Sequence, residues 1–428
     1  MGIHNFHTFI KNKYPNSIKK IWLNHYDYIY IDINYCLHNI AHNALSLDDV
    51  ILKLIGYIKN ILKYNIPLKE VILVTDGPAP FAKLFLQRKR RLGMNKTKTE
   101  TETETNSNLS IHFTPGTIFM NILADKLCEF VKYIKFIFSI NVILLFDEAD
   151  EGEIKIKNTL LINCSLNNNA SHLIVSNDAD VVLLACCTET TNNIYILSKI
   201  IENYTINIKE LINEHCKYFQ TNNKWDIVAL SLLIGNDYIP KISFNTFDKL
   251  WNAYNYALKL DKNGLLTSLN PLIINKEFLI NILLSIILQT QTRYIKLFTT
   301  KYLNHNLYNN YIEGYTWCLD MYINGKCADY DYIFKYQDDN VHPLGLLYTL
   351  YNYNDKISYK NSYNIITKEP INKILYCMLL LPYHIAILLI DDKYHNFLEE
   401  IKYINESKHI LLTINDINEI IEKFNLYI

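Results

Sequence analysis

The chain has no excess of charge of either sign: 42 Lys and Arg stand against 43 Asp and Glu over 428 residues. That balance leaves the partner open, because a nucleic-acid enzyme can concentrate its basic groups in one place. There is no cysteine framework. The nine Cys are irregularly spaced, none forms a CxxC, and Cys186 and Cys187 sit together in an apolar run. This excludes a disulfide scaffold and any recognisable zinc site, and it fits a reducing compartment. Met1–Phe6 is no apolar signal region, so no secretory leader is expected. Gly2 invites myristoylation, but Phe6 stands where Ser or Thr is required. The best apolar run, Ile374–Ile390, is interrupted by Pro382, Tyr383 and His384. It is too short to span a bilayer, and a buried helix pair is expected there instead. No internal repeat is present, and no Ser–His or Cys–His pair points to covalent catalysis.

What is present is half apolar and only 20% charged, the balance of a globular chain long enough for two or three domains. Ile, Asn, Lys and 33 Tyr crowd it. All have AT-rich codons, so the bias reads as genomic, as in a large DNA virus or certain protists. Tyr28–Ile33, Val71–Thr75, Asn141–Phe146 and His172–Ser176 are short apolar runs of the kind buried parallel strands have, and Asn193–Leu197 reads as a fifth strand. They alternate with helical segments, so a mostly parallel, doubly wound α/β sheet is expected. Thr117 should cap a helix. The tract 96–108 (KTKTETETETNSN) reads as a solvated loop, and from about residue 205 the pattern turns helical.

Each of the first four strands ends in acid. Asp32 closes the first, Asp76 follows the second, Glu151 and Glu153 follow the third, and Asp178 and Asp180 follow the fourth; Asp237 follows a later apolar run. One acid after a strand is ordinarily a helix cap or turn residue. In an open α/β sheet, however, ligands bind at the carboxyl ends of the strands. Carboxylates gathered there repel unless cations hold them ionised, and hard oxygen donors suit Mg²⁺ or Mn²⁺. Two such ions about 3.5–4 Å apart stabilise both oxygens of a phosphodiester displacement.

Between Asp76 and Glu100 there is no acid, but there are seven basic residues: Lys83, Arg88, Lys89, Arg90, Arg91, Lys96 and Lys98. On a helix starting near Phe81, Lys83, Gln87, Arg90 and Arg91 share one face. A Lys, an amide and two Arg together suit a phosphate, which Arg grips with two parallel hydrogen bonds. A solvated basic face is the plainer alternative, and closeness to Asp76 in the chain argues against it.

These residues resemble the XRN family of 5′→3′ exoribonucleases. The opening MGIHNFHTFIKNKYP is similar to that family's first segment. So are Asp32 with Asn34 and His38, Asp76-Gly77-Pro78 with Lys83, Gln87, Arg90 and Arg91, and Thr114–Thr117. Glu151-Gly152-Glu153 with Lys155, Asp178-Ala179-Asp180, and Gly235-Asn236-Asp237 complete the block. A fainter block takes in Tyr311–Trp317, Gly325, His342-Pro343, Glu369-Pro370 and Leu381-Pro382. The resemblance implies a 5′ nuclease or PIN-like core over 1–240, a helical second region over 241–390, and a divergent segment over 391–428. It implies that Asp32, Asp76, Glu151, Glu153, Asp178, Asp180 and Asp237 hold two Mg²⁺ ions. Lys83, Gln87, Arg90 and Arg91 would hold a 5′-monophosphate, His38 would stack on the first base, and Asn34 and Lys155 would join the substrate site. The implied partner is single-stranded RNA, with no membrane and no obligate protein partner, in the cytoplasm or a viral factory. The family's Pro-Gly before Glu-Gly-Glu is here Ala149-Asp150, and its Trp-x-Trp is here Tyr330-Asp331-Tyr332. A DNA flap nuclease and an inactive RNA-binding relative stay open as alternatives.

Overall fold

The structure is a computed structural model that describes residues 3, 5–20, 25–94, 109–146, 148–198, 204–290, 305–335, 341–353, 356–358, 370–406 and 414–428. The tract 96–108 and Glu369 lie outside the described residues. In chain order the first part runs α1 (Phe6–Lys13), β1 (Ile18–Lys20), β2 (His25–Asp32), α2 (Ile33–Ala41), α3 (Leu47–Tyr64), β3 (Ile66–Val74) and α4 (Phe81–Met94). It continues with α5 (Ile118–Phe138), β4 (Asn141–Leu145), α6 (Gly152–Leu166), β5 (His172–Val175), α7 (Ala179–Cys186), β6 (Ile194–Leu197) and β7 (Tyr204–Asn207). Then come α8 (Ile208–Phe219), α9 (Asp226–Leu232), α10 (Phe247–Leu260), β8 (Leu266–Leu269), β9 (Leu272–Ile274), α11 (Lys276–Leu288), α12 (His305–Asn324), α13 (Pro343–Tyr351) and β10 (Ile357–Ser358). The last helices are α14 (Lys373–Leu380), α15 (Tyr383–Leu389), α16 (His395–Glu400), α17 (Lys402–Glu406) and α18 (Ile414–Tyr427).

Two compact units alternate along the chain: Met1–Trp22, Lys157–Asn169 and Asn177–Thr367 form one, and Leu23–Ile156, Ala170–Ser176 and Lys368–Ile428 the other. The latter, here the sheet unit, holds four parallel strands in the order β5-β2-β3-β4. Tyr28 lies opposite His172 on one side and Glu70 on the other. Ile29–Ile31 and Val71–Val74 are wholly buried, as strands covered on both faces must be, and this is why they read as continuous apolar runs. Their helices form for ordinary reasons. Ser46 caps α3 by accepting from Asp49 N, and Val50, Leu54, Ile58 and Ile61 repeat every three or four residues to give it one apolar face. Thr117 caps α5 as expected, accepting from Met120 N.

The C-terminal stretch of the sheet unit makes a second core. Leu375, Met378, Leu379, Phe397, Leu398, Ile404, Ile417 and Phe424 pack with Ala79, Phe81 and Leu84 at the start of α4. The apolar run near residue 380 is the helix pair α14 and α15, parted at Leu381-Pro382. No helix among the described residues is long and apolar enough to cross a membrane.

The other unit is mostly helical, as expected from residue 205 onward. The expected fifth strand is present as β6; it pairs antiparallel with β7, and β7 pairs antiparallel with β1. Strands β1 (IKK) and β7 (YTIN) are too short and polar to announce themselves. A small sheet, β10-β9-β8, is also antiparallel.

Candidate active site

In the sheet unit the carboxyl ends of β2, β3 and β4 lead directly to acids. Asp32 is also the N-cap of α2: its Oδ1 accepts from Tyr35 N at 2.9 Å, while its Oδ2 accepts from the Ser176 hydroxyl at 2.9 Å. Asp76 Oδ1 accepts from Gly152 N at 2.8 Å. A Cβ on Gly152 would stand 3.3 Å from Asp76 Oδ1 and 3.7 Å from Asp32 Oδ1, so both carboxylates converge on this glycine, and its missing side chain keeps the space between them open. The loops that carry them are tied by backbone hydrogen bonds, Gly77 N to Asp150 O at 2.8 Å and Asp150 N to Pro78 O at 3.1 Å. Gly77 is obligatory here, because a Cβ would meet Glu148 O at 2.0 Å. Asp150 takes the left-handed region (φ 75°), where Gly would be at ease and Asp is tolerated. The departure from Pro-Gly therefore keeps the same turn available. Glu151 is buried, and Glu153 stands half-buried in the first turn of α6.

Helix α4 begins at Phe81 as its sequence predicts, and its basic residues divide between opposite tasks. Lys83 is buried and forms an ion pair with Glu151, Nζ to Oε1 at 2.7 Å. This one contact joins the basic helix to the acidic loop. Gln87 and Arg91 are half-buried, and Arg90 is exposed. Arg88 turns the other way. Its guanidinium is buried and donates to the backbone carbonyls of Leu379 and Ile404, near the C-terminal ends of α14 and α17. It is a structural bolt rather than part of a phosphate-facing set.

The remaining candidates of the sheet unit are engaged within the protein. Asn34 is buried; its amide oxygen accepts from Asp76 N at 3.0 Å and its nitrogen donates to Phe113 O at 3.5 Å. Lys155, also buried, donates to Thr75 O at 2.9 Å. Both thus hold the Asp76 loop, a role their sequence positions did not reveal. His38 is half-buried and meets Phe113 edge to face at 5.5 Å. Burial lowers its pKa, which favours the neutral imidazole.

In the other unit, Asp178 caps α7 by accepting from Asp180 N at 3.0 Å. Asp180 and Asp237 are buried. The Tyr322 hydroxyl on α12 is hydrogen-bonded to Asp180 and accepts from Asn236 Nδ2 at 3.2 Å, so the motif after β5 and the Gly235–Asp237 motif are brought together through Tyr322. Burial first, then the Asp180 charge, raises the Tyr322 phenol far above its ordinary range and keeps it a donor. Tyr332, of the segment Tyr330-Asp331-Tyr332, is buried against Trp317 with ring centroids 4.5 Å apart and belongs to the core.

The donor set is all hard oxygen, and Asp32 and Asp76 flank an open space at Gly152. Its chemistry fits a divalent cation of the Mg²⁺ type. Ser176, Tyr322 and Arg88 were not foreseen. Each acts across a long stretch of chain and leaves no local pattern.

Residues 1–199 match the family described as the XRN 5′-3′ exonuclease N-terminus. A relative from Saccharomyces cerevisiae, named 5′-3′ exoribonuclease 1, is 27% identical over 327 residues, covering 62% of this chain and 21% of its own length. A protein of Acanthamoeba polyphaga mimivirus, named as a 5′-3′ exonuclease, is 32% identical over 175 residues, covering 33% of this chain and 27% of its own. The chain therefore spans about a quarter or less of these relatives. Among solved structures, the catalytic core of Rad2 in complex with DNA substrate superposes with a TM-score of 0.38 at 14% identity, over 62% of this chain and 70% of that one. The T5 D15 protein co-crystallised with metal ions gives 0.37 at 12%, over 60% and 84%. Residues 1–199 are thus similar to the N-terminal domain of the XRN 5′-3′ exonucleases.

Proposed function

We propose that the protein is a divalent-metal-dependent 5′→3′ exoribonuclease that acts on single-stranded RNA beginning with a 5′-monophosphate. The observation that carries this reading is the Lys83–Glu151 ion pair, which seats a basic helix against acids converging on Gly152. In this reading Asp32, Asp76, Glu151, Glu153, Asp178, Asp180 and Asp237 would hold two Mg²⁺ ions, with Mn²⁺ an acceptable substitute. When bound, such ions acidify water and offset charge on the attacking and leaving oxygens of the phosphodiester. Lys83, Gln87, Arg90 and Arg91 bind the terminal phosphate and orient the strand so that its first linkage meets the acids. His38, held neutral by burial, offers a ring to the first base. Stacking of that kind tolerates any sequence, which suits processive degradation to mononucleotides. Messenger RNA decay in the host cytoplasm is the biological setting we propose, and exclusive recovery from nuclei would count against it.

The decisive assay compares three RNAs of one sequence carrying 5′-monophosphate, 5′-hydroxyl or capped ends, in Mg²⁺. The expected result is shortening of the monophosphate RNA alone, from its 5′ end. Equal digestion of all three rejects the end-binding assignment, and preferential cleavage of a DNA flap would establish a structure-specific nuclease instead.

A further inference from the structure

Tyr376, on α14, is fully buried and sits at the junction of the acidic and basic groups. Its hydroxyl donates to Gln87 Oε1 at 3.3 Å. The charges it feels most are those of Glu151, Lys83, Asp76 and Arg91, two acids and two members of the proposed end-binding set. Burial, then the Glu151 carboxylate, pushes its phenol above the ordinary range, so it remains a donor.

The chemistry of Gln87 makes this contact consequential. A carboxamide has one oxygen that only accepts and one nitrogen that only donates. The oxygens of an ionised phosphate only accept. An amide free to turn would offer the wrong atom in one of its two orientations. With Oε1 held by the Tyr376 hydroxyl, Nε2 is the end left to present. Tyr376 belongs to a buried apolar cluster that includes Leu375, Leu379 and Leu380. The neighbouring Arg88 fixes the same stretch of α4 to the carbonyl of Leu379, so α14 braces the helix at consecutive residues.

We propose that Tyr376 is a positioning residue for recognition of the RNA end: it sets the orientation of the Gln87 amide so that Nε2 faces the 5′-phosphate. This rests on reading Lys83, Gln87, Arg90 and Arg91 as the phosphate-binding group. It gives the C-terminal helices a part in choosing the substrate.

The test is a double-mutant cycle read as a ratio. For wild type, Tyr376→Phe, Gln87→Ala and the double variant, kcat/KM is measured on 5′-monophosphate and 5′-hydroxyl RNA. Tyr376→Phe keeps the ring and removes one oxygen. It should lower the phosphate-to-hydroxyl ratio about fivefold, the factor that one neutral hydrogen bond is worth, mainly through KM of the phosphate-ended RNA. In the Gln87→Ala background the same change should move the ratio less than about twofold, because Tyr376 acts through Gln87. An unchanged ratio in Tyr376→Phe overturns the proposal, as does an undiminished effect in the absence of Gln87. Gln87→Glu gives a second arm should Tyr376→Phe fail to fold. Its carboxylate still accepts from Tyr376 but sets an acceptor where the nitrogen stood, so its ratio should fall below that of Gln87→Ala; a ratio at or above that value also overturns the assignment. A wild type that does not prefer the phosphate end rejects the functional reading itself, an outcome separate from these.

Discussion

Arg88→Ala is the sharpest probe of how α4 is held. The Arg88 side chain is only 5% exposed, and its guanidinium donates to the carbonyls of Leu379 and Ile404. Burial lowers its pKa to about 10, so it stays charged at neutral pH. Hydrogen bonds from a charged donor contribute roughly 1.5–3 kcal/mol each, and carbonyls stranded by truncation add to the loss. Removing both should cost roughly 3–6 kcal/mol. In a unit of about 200 residues each kcal/mol lowers Tm by roughly 2–4 °C, so a drop of roughly 6–24 °C is expected by differential scanning calorimetry. Arg88→Lys restores charge without the planar fork and should recover less than half of the loss. Arg90→Ala is the matched control: two residues away and exposed, it should shift Tm by no more than about 2 °C. A melt of Arg88→Ala indistinguishable from that control would refute the claim that this arginine fastens α4 to the C-terminal helices.

Four further outcomes are expected. Arg90→Ala combined with Arg91→Ala should erase the preference for a 5′-monophosphate in the end-comparison assay, while circular dichroism stays that of wild type. Asp178→Ala should abolish RNA shortening in Mg²⁺ yet retain RNA in a gel-shift assay, and a fully active variant would remove this residue from the metal set. Gly77→Ala should destabilise by roughly 1–3 kcal/mol in urea, because its Cβ would have to displace the Glu148 carbonyl. His172 is buried, with its Nδ1 3.1 Å from the Tyr30 hydroxyl, and burial lowers its pKa to about 4. It is neutral when folded but takes up a proton when unfolded below about pH 6.5, so stability should fall between that pH and about 4, by up to roughly 1.4 kcal/mol per unit. His172→Gln should flatten that slope in pH-resolved urea melts.

The sequence-level reading and the structure agree where physics is local. The runs YIYIDI, VILVT, NVILL and HLIV are strands because a sheet covered on both faces buries such runs, and in the sheet unit the first three each lead to acid at their carboxyl ends. The cap reading of Asp32 and Asp178 also holds, since both cap helices while standing at the strand ends. What could not be read was tertiary. The basic run counts Arg88 with Arg90, yet two residues turn a helix by about 200°, and the two point to opposite surroundings. Nothing near Ser176 announces its bond to Asp32, 144 residues away, and nothing near Tyr376 announces Gln87, 289 away. Strands β1 and β7 are stabilised by each other across almost two hundred residues, so neither carries a pattern of its own.

The bolt at Arg88 has a consequence for how the protein is made. Its two carbonyl partners lie 291 and 316 residues further along the chain. During synthesis α4 emerges early with its apolar side, Phe81 and Leu84, uncovered and its buried arginine unanswered. Neither can be satisfied until residues through Ile404 have left the ribosome. Helix α4 is thus translated early but fastened late, and a ribosome stalled before that point would hold a chain whose α4 has nothing to lean on.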